Sequence, residues 1–344
     1  MSARQDAVPI PVRKLFEETM GGPPSAVQLL KGDGSQRELY RMHGAGTTVI
    51  AVWNPHGPAE NSAFVGLTGH FRRHGLPVPA IVAAALDAGA YLEEDLGDLT
   101  LLLWLEGQRD DRWSEATLEM YRKVVQYLPR FQAMAGASVD YDLCYQGKDF
   151  DAEAMLGDLR YFEQEFLDPF AKGHPDVHHD FTELATCLDL YPRDSFMYRD
   201  FQARNVMLVA GEPWFLDYQS GRRGPAPYDV ASLLFDGAVE MPETTRQALL
   251  DVYLDAMEEA HPLDRGAFLA AFPGFALLRI LQALGAYGFL SRHRSKRHFL
   301  RRVPAALRNL DWLARHWSAR LPGLVSLWRA IEELQQQPHL GYLA

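Results

Sequence analysis

Between residues 198 and 219 the chain places Asp200, then Asn205, then Asp217, inside a pattern of short apolar runs. Val206-Met207-Leu208-Val209 is one run, Ala210-Gly211-Glu212-Pro213 reads as a turn, and Trp214-Phe215-Leu216 is a second run ending at Asp217. A hairpin built this way returns Asn205 and Asp217 to the same end of a sheet, with Asp200 on the loop just before it. An isolated Asp-x4-Asn reads as a surface loop, but the second Asp at a strand end changes the reading. Phosphoryl transfer from a nucleotide needs these three groups. A carboxylate orients the attacking hydroxyl and accepts its proton, while an amide and a second carboxylate hold magnesium against the triphosphate. Asp200 is therefore expected to be the catalytic base, and Asn205 and Asp217 the metal ligands.

The surrounding residues resemble a known family. Tyr198-Arg199-Asp200 stands where protein kinases have His-Arg-Asp, and Asp217-Tyr218-Gln219 where they have Asp-Phe-Gly. Pro225-Ala226-Pro227-Tyr228-Asp229-Val230-Ala231 is similar to the Pro-x-x-Tyr-Asp-Leu-Ala segment of small-molecule kinases. The chain thus resembles the protein-kinase-like fold in the variant used by aminoglycoside phosphotransferases. That resemblance implies an α+β bilobal architecture, with a small antiparallel-sheet N-lobe and a larger, mainly helical C-lobe, using ATP and Mg2+. Only Ser220 to Arg223 separate Gln219 from Gly224, which is too short for a phosphorylatable loop that docks a protein substrate.

Bulk properties set limits on partners. A length of 344 residues allows two units with their own cores, and 47% hydrophobic with 23% charged residues is a globular composition. A formal charge of −11 disfavours nucleic acid as a partner, since that needs a broad basic face. Cys144 and Cys187 lack metal-ligand spacing and suit a reducing cytosol. The longest apolar run noted, Val78 to Leu86, contains a proline, and no run approaches the roughly twenty residues that span a bilayer. With Arg4 and Asp6 and no apolar core behind them, the N-terminus does not read as a signal peptide. A cytoplasmic protein without a membrane partner is expected.

Along the chain, residues 13–20 have helical spacing, followed by apolar runs at 27–30, 38–42 and 47–53 with glycine-rich turns between them. A helix over 61–74 and strands over 78–82 and 90–94 complete a five-stranded small lobe. The expected division is 1–98 for the nucleotide-binding lobe, 99–330 for the catalytic and substrate lobe, and 331–344 as a tail.

Gly32-Asp33-Gly34-Ser35-Gln36-Arg37 lies in a strand–turn–strand where backbone N–H groups can approach phosphate oxygens, so Gly34, Ser35 and Arg37 are candidate phosphate contacts. The third strand, Ala51-Val52-Trp53-Asn54, lacks the lysine that kinases carry there. Arg37 and Arg41 alternate onto one face of the second strand, and either can pair with Glu60 and take over that charge, with Lys31 or Arg223 next in line. Gly32-Asp33-Gly34-Ser35-x-Arg37-x-x-Tyr40-Arg41, Glu60-Asn61-x-x-Phe64 and Leu76-Pro77-Val78-Pro79 resemble the bacterial anomeric kinases that phosphorylate N-acetylmuramate and N-acetylglucosamine at C1. In that group, too, the third-strand lysine is missing. The resemblance further implies that the junction Glu93-Glu94-Asp95-Leu96-Gly97-Asp98, through Glu94 and Leu96, meets the adenine; an acidic surface loop is the alternative.

Signals on the acceptor side are sparser. Arg279, Gln282 and Tyr287 are the polar positions of an otherwise apolar helix and are candidate contacts to a hydroxylated substrate. Arg223, beside the metal loop, is a candidate for neutralising the transferred group. The basic stretch 292–302 reads as a solvated face, and the histidines show no ligand spacing, with His178-His179-Asp180 expected at the surface. The leading expectation is an ATP-dependent kinase acting on a small sugar. The alternatives are an aminoglycoside- or choline-type kinase and, because of the missing lysine, a nucleotide-binding pseudokinase.

Overall fold

The computed structural model describes residues 8–30, 37–108, 112–321, 323–337 and 340. By packing, the chain forms two units, neither of them continuous in sequence. The first comprises Met1–Trp104, Ser138–Lys148 and Arg204–Gly221; the second comprises Leu105–Ala137, Asp149–Ala203 and Arg222–Ala344. The contiguous division at residue 98 is therefore not how the chain packs. The hairpin carrying Asn205 and Asp217 belongs with the N-terminal sheet, because Leu208 donates its N–H to the carbonyl of Leu99 at 2.8 Å and Phe215 donates to that of Pro77 at 2.9 Å.

The first unit is built on a five-stranded antiparallel sheet: β1 (Ala26–Leu30), β2 (Glu38–Gly44), β3 (Thr47–Trp53), β4 (Ile81–Ala85) and β5 (Ala90–Glu94), in the order β1-β2-β3-β5-β4. β4 starts later than its sequence suggests. Pro79 has no N–H to give a ladder, so pairing begins only at Ile81 opposite Glu93. Successive residues of β5 point to opposite faces. Leu92 joins Val12 and Phe16 of α1 (Ile10–Met20) in one core cluster, while Tyr91 stacks on Phe64 of α2 (Pro58–Arg73) with ring centroids 5.4 Å apart. The hairpin forms as read from sequence: Val206–Val209 pairs antiparallel with Glu212–Phe215. Its two-residue turn has Ala210 at φ 51° and Gly211 at φ 81°, the positive values that match hairpin twist.

The second unit is mainly helical and packs around the helix Arg265–His293. An 18-residue window of that helix has a mean hydropathy of 1.7, long and apolar enough to cross a bilayer, and 67% of the window is buried inside the unit. The apolar helix expected around Arg279 is thus longer than its sequence suggests, since Pro273, Arg279 and Gln282 interrupt the run; burial on all sides accounts for its composition. The expected tail at 331–344 also needs correction, since 331–335 completes the helix Val325–Gln335, whose Leu327, Ile331 and Leu334 are buried. Asp180 is buried as well, accepting the Leu327 N–H at 2.7 Å, whereas His178 and His179 do face solvent. Along the basic stretch, Arg292 and His293 pair with Glu165 at 3.1 and 3.0 Å on an exposed face.

Close backbone approach fixes where the central helix lies. A Cβ on Gly288 would sit 2.0 Å from the carbonyl oxygen of Glu165, whereas a Cβ on the exposed helical Gly157 would meet nothing within 4 Å. Gly288→Ala should therefore destabilise the protein by roughly 1–3 kcal/mol through forced backbone displacement. Gly157→Ala should be neutral or stabilising by up to about 1 kcal/mol. Urea melts of the two variants beside the parent check both, and equal midpoints would contradict the packing described.

Candidate active site

In the first unit the hairpin ends, the start of β2 and the first turn of α2 meet. Arg37, just ahead of β2, donates through Nη2 to Asp217 Oδ1 at 2.7 Å, and its Nε lies 3.7 Å from Glu60 Oε1. Gln219 Nε2 donates to Asp217 Oδ1 at 2.9 Å and to Glu60 Oε1 at 3.5 Å, and Asn205 Nδ2 lies 3.4 Å from Asp217 Oδ2. Glu60 is held from behind by Asn54 Nδ2 at 2.9 Å, and Asn54 is anchored by Asn61. Asp217 has φ 69°, a left-handed conformation uncommon outside glycine. Next to it, Tyr218 pins the backbone, with its hydroxyl 2.5 Å from Thr68 Oγ1 and its ring stacked on Phe64 at 5.2 Å.

The electrostatics follow from burial and these partners. Burial alone would raise the Asp217 pKa, but the Arg37 charge and the Gln219 and Arg37 hydrogen bonds outweigh it and hold the carboxyl below its ordinary value. Arg37 is likewise opposed by burial, yet Asp217, Tyr91 and Glu60 push its pKa up, so it stays charged. Glu93 behaves differently. Its burial pushes the carboxyl up to about 8, with Arg37 opposing and Asp217 adding, and its Oε2 is buried without a hydrogen-bond partner. The reading of residues 93–98 as an acidic surface loop thus fails for Glu93, which shares a strand face with Tyr91.

Arg37 and Arg41 part company. Arg41 is spent on the segment after β5, donating to Asp95 Oδ2 at 2.7 Å, Asp98 Oδ1 at 2.8 Å and the Gly97 carbonyl at 3.0 Å. Of the two arginines, only Arg37 reaches Glu60. Glu94 accepts from the Ala80 N–H at 3.0 Å, and Leu96 is half-buried beside the Arg41 cluster. Lys31, Gly34 and Ser35 lie outside the described residues.

In the second unit, the loop bearing Asp200 is held by a buried carboxylate. Asp229 Oδ2 accepts from the Tyr198 N–H at 2.7 Å and from Gln132 Nε2 at 2.9 Å, and Oδ1 accepts from the Arg199 N–H at 2.8 Å. Burial pushes the Asp229 carboxyl up to about 7, against the pull of these three donors. Arg199 has φ 80° and clamps Asp158 through two bonds of 2.6 Å, with its guanidinium over the rings of Phe150 and Tyr228. Asp200 itself is partly exposed, with Arg279 Nη2 3.6 Å from its Oδ1. Arg279 is buried and fixed by Ser232 Oγ at 2.9 Å and Gln282 Oε1 at 2.5 Å.

Of the acceptor-side candidates, Arg279 therefore lies beside Asp200, with Gln282 bonded to Arg279. Tyr287 instead stacks on Phe299, with centroids 6.1 Å apart, and Arg223 forms a half-exposed pair with Asp149 at 2.6 Å. Gln219, Asn54, Asp158 and Asp229 were not singled out from the sequence. Asp229 carried a signal through the Pro-x-x-Tyr-Asp segment, and Gln219 through Asp217-Tyr218-Gln219.

The family model described as the phosphotransferase enzyme family matches residues 26–263, well over half of the chain. The chain belongs to the phosphotransferase enzyme family. It is 28% identical over 328 residues to the N-acetylmuramate/N-acetylglucosamine kinase of Pseudomonas aeruginosa, covering 91% of this chain and 90% of that one. It is 25% identical over 328 residues to the protein of the same name from Pseudomonas putida, covering 93% and 92%. Among solved structures, a microcompartment-associated aminopropanol kinase superposes with a TM-score of 0.61 at 15% identity, covering 87% of this chain and 94% of that one. The fold is thus kinase-like, with an antiparallel five-stranded sheet followed by a mainly helical remainder.

The different partners of the two arginines predict different losses. Arg37→Met should lower phosphotransferase turnover at least about tenfold, since a guanidinium beside Asp217 and Glu60 supplies fixed positive charge. Arg41→Met should leave turnover within about twofold and instead cost roughly 1–3 kcal/mol of stability, because Asp95 loses its two guanidinium donors. Steady-state assays and thermal melts on both variants check this, and the reverse pattern would assign the charge to Arg41.

Proposed function

We propose that this phosphotransferase moves the γ-phosphoryl group of ATP to the anomeric C1 hydroxyl of an N-acetylated amino sugar. The observation that carries the acceptor assignment is that both Pseudomonas relatives, aligned over nine-tenths of their length, are named N-acetylmuramate/N-acetylglucosamine kinases. The site chemistry supports an active enzyme over a pseudokinase. The charge missing from the third strand is supplied by Arg37, which is ion-paired to Asp217 and close to Glu60.

Asp217 and Asn205 are proposed to hold Mg2+. The donor set fits a hard cation, which prefers carboxylate and amide oxygens. Gln219 Oε1, buried without a partner on a residue bonded to Asp217, adds a further oxygen of the same kind. When bound, the metal neutralises charge on the triphosphate. Asp200 takes the proton of the acceptor hydroxyl. The guanidinium of Arg279, locked by Ser232 and Gln282, restrains the Asp200 carboxylate. Arg37 adds a planar donor fork suited to phosphate oxygens. Gly34 and Ser35 are proposed as backbone phosphate contacts, and the stretch at Glu94 and Leu96 as the adenine contact. Arg223 and Tyr287 stay as proposed acceptor-side residues, and the protein is proposed to work on free sugars in the cytoplasm.

An assay of the full chain with ATP and Mg2+ against N-acetylglucosamine, N-acetylmuramate, choline and aminoglycosides tests this. Phosphorus NMR coupled to the anomeric proton locates the phosphate. Product at C1 of the two sugars is expected; turnover confined to choline or aminoglycosides, or no turnover, would overturn the proposal. In the same assay Asp200→Ala should lose about 10²–10⁴-fold in turnover while still binding nucleotide. Asp217→Ala should lose Mg2+-dependent nucleotide binding itself, and identical behaviour of the two variants would show the roles to be wrongly divided.

A further inference from the structure

Away from the residues assigned above, the second unit gathers four metal-ligating side chains in the order Glu163-x4-Asp168-x5-His174-x3-His178. Glu163 opens a π-helical segment, Glu163–Leu167, a distortion that recurs at functional sites. Asp168 follows it, and the loop before the helix His178–Asp189 brings His174 back to them. Ligand atoms of Glu163, Asp168 and His174 all lie within 4.8 Å of one another. His174 Nε2 is 2.9 Å from Asp168 Oδ1, and His178 Nε2 is 3.3 Å from Glu163 Oε2.

A second, independent feature points to a cation. Each histidine has its other ring nitrogen engaged by an oxygen outside the group of four. His174 Nδ1 lies 2.7 Å from the Pro175 carbonyl oxygen, and His178 Nδ1 lies 2.7 Å from Asp176 Oδ1. Those oxygens lie on the far side of each ring from the group, so the Nε2 atoms of both histidines face the two carboxylates. This is the outer-shell arrangement that sets the tautomer of metal-binding imidazoles. The two carboxylates match the charge of one divalent ion, and the two Nε2 atoms supply nitrogen donors.

We propose that Glu163, Asp168 and His174, with His178 as fourth ligand, form a structural site for a borderline divalent ion. Zn2+ is the best match, because two nitrogens and two carboxylate oxygens suit tetrahedral zinc, whereas Mg2+ and Ca2+ prefer oxygen throughout. The ion ties the π-helical segment to the start of the helix His178–Asp189. The ligands are reachable: Glu163 and His174 side chains keep 12% and 11% of their exposure, Asp168 and His178 57% and 68%.

The test uses the full chain, stripped with chelator and titrated with Co2+ and then Zn2+. One equivalent of Co2+ should give the visible bands of a tetrahedral site, and Zn2+ should displace them while millimolar Mg2+ does not. The bands should persist in Asp217→Asn, which separates this site from the proposed nucleotide metal. They should weaken by at least about tenfold in His174→Ala and in Asp168→Asn. Asp168 is exposed, so that variant keeps the test valid should His174→Ala misfold. Absence of tetrahedral Co2+ binding, or equal binding by the parent and a folded ligand variant, would overturn the proposal.

Discussion

Two consecutive backbone N–H groups, those of Tyr198 and Arg199, point at one buried carboxylate, Asp229, and the shape of the loop before Asp200 depends on that convergence. A carboxylate without solvent exposure is costly unless donors surround it. Here Gln132 supplies a third donor and is itself fixed by the Tyr253 hydroxyl at 2.7 Å. The interaction holds Arg199 at φ 80°, a conformation that costs about 1–3 kcal/mol where nothing enforces it. Asp200 is the next residue, so its direction is set by a strained peptide that the carboxylate keeps in place.

Arg199 shows a related economy. In kinases controlled by phosphorylation, arginines order a loop by pairing with an added phosphate. Here Asp158 accepts from both terminal guanidinium nitrogens, and Phe150 and Tyr228 cover its faces. The pair is internal and permanent, which agrees with the very short connection between Gln219 and Gly224. In the first unit the same logic applies to Arg37. β3 carries no lysine, and Arg37, ahead of β2, is kept charged by Asp217 and Glu60. The result is a fixed cation 2.7 Å from Asp217, supplied from outside the third strand.

Local patterns made much of this legible. The hairpin at 206–215, the five strands and the candidacy of Arg37 or Arg41 as the partner of Glu60 follow from strand alternation and turn chemistry, which act over a few residues. What the sequence hid depends on tertiary packing. The allegiance of the hairpin to the N-terminal sheet rests on backbone bonds to Leu99 and Pro77, which no side-chain pattern encodes. Arg41 has the same parity as Arg37, and only the return of the chain at Asp95–Asp98 diverts it. Tyr287 looked polar on its helix but is packed against Phe299, and Glu93 looked solvated within an acidic run but is half-buried, with its Oε2 enclosed. Asp158 and Gln132 sit in helices far along the chain from their partners, so nothing in their own neighbourhood announces them.

The dependence of the loop on Asp229 is open to a direct measurement. In Asp229→Asn the amide presents a donor where backbone donors already converge, so one of the Tyr198 and Arg199 N–H groups loses its acceptor. Turnover and nucleotide affinity, measured on the same folded samples with N-acetylglucosamine as acceptor, separate positioning from binding. The expected result is a fall in kcat of at least about tenfold with nucleotide Kd within about twofold of the parent, the signature of a lost transition-state interaction. Unchanged kcat in a folded Asp229→Asn protein would contradict the dependence of Asp200 on that buried carboxylate.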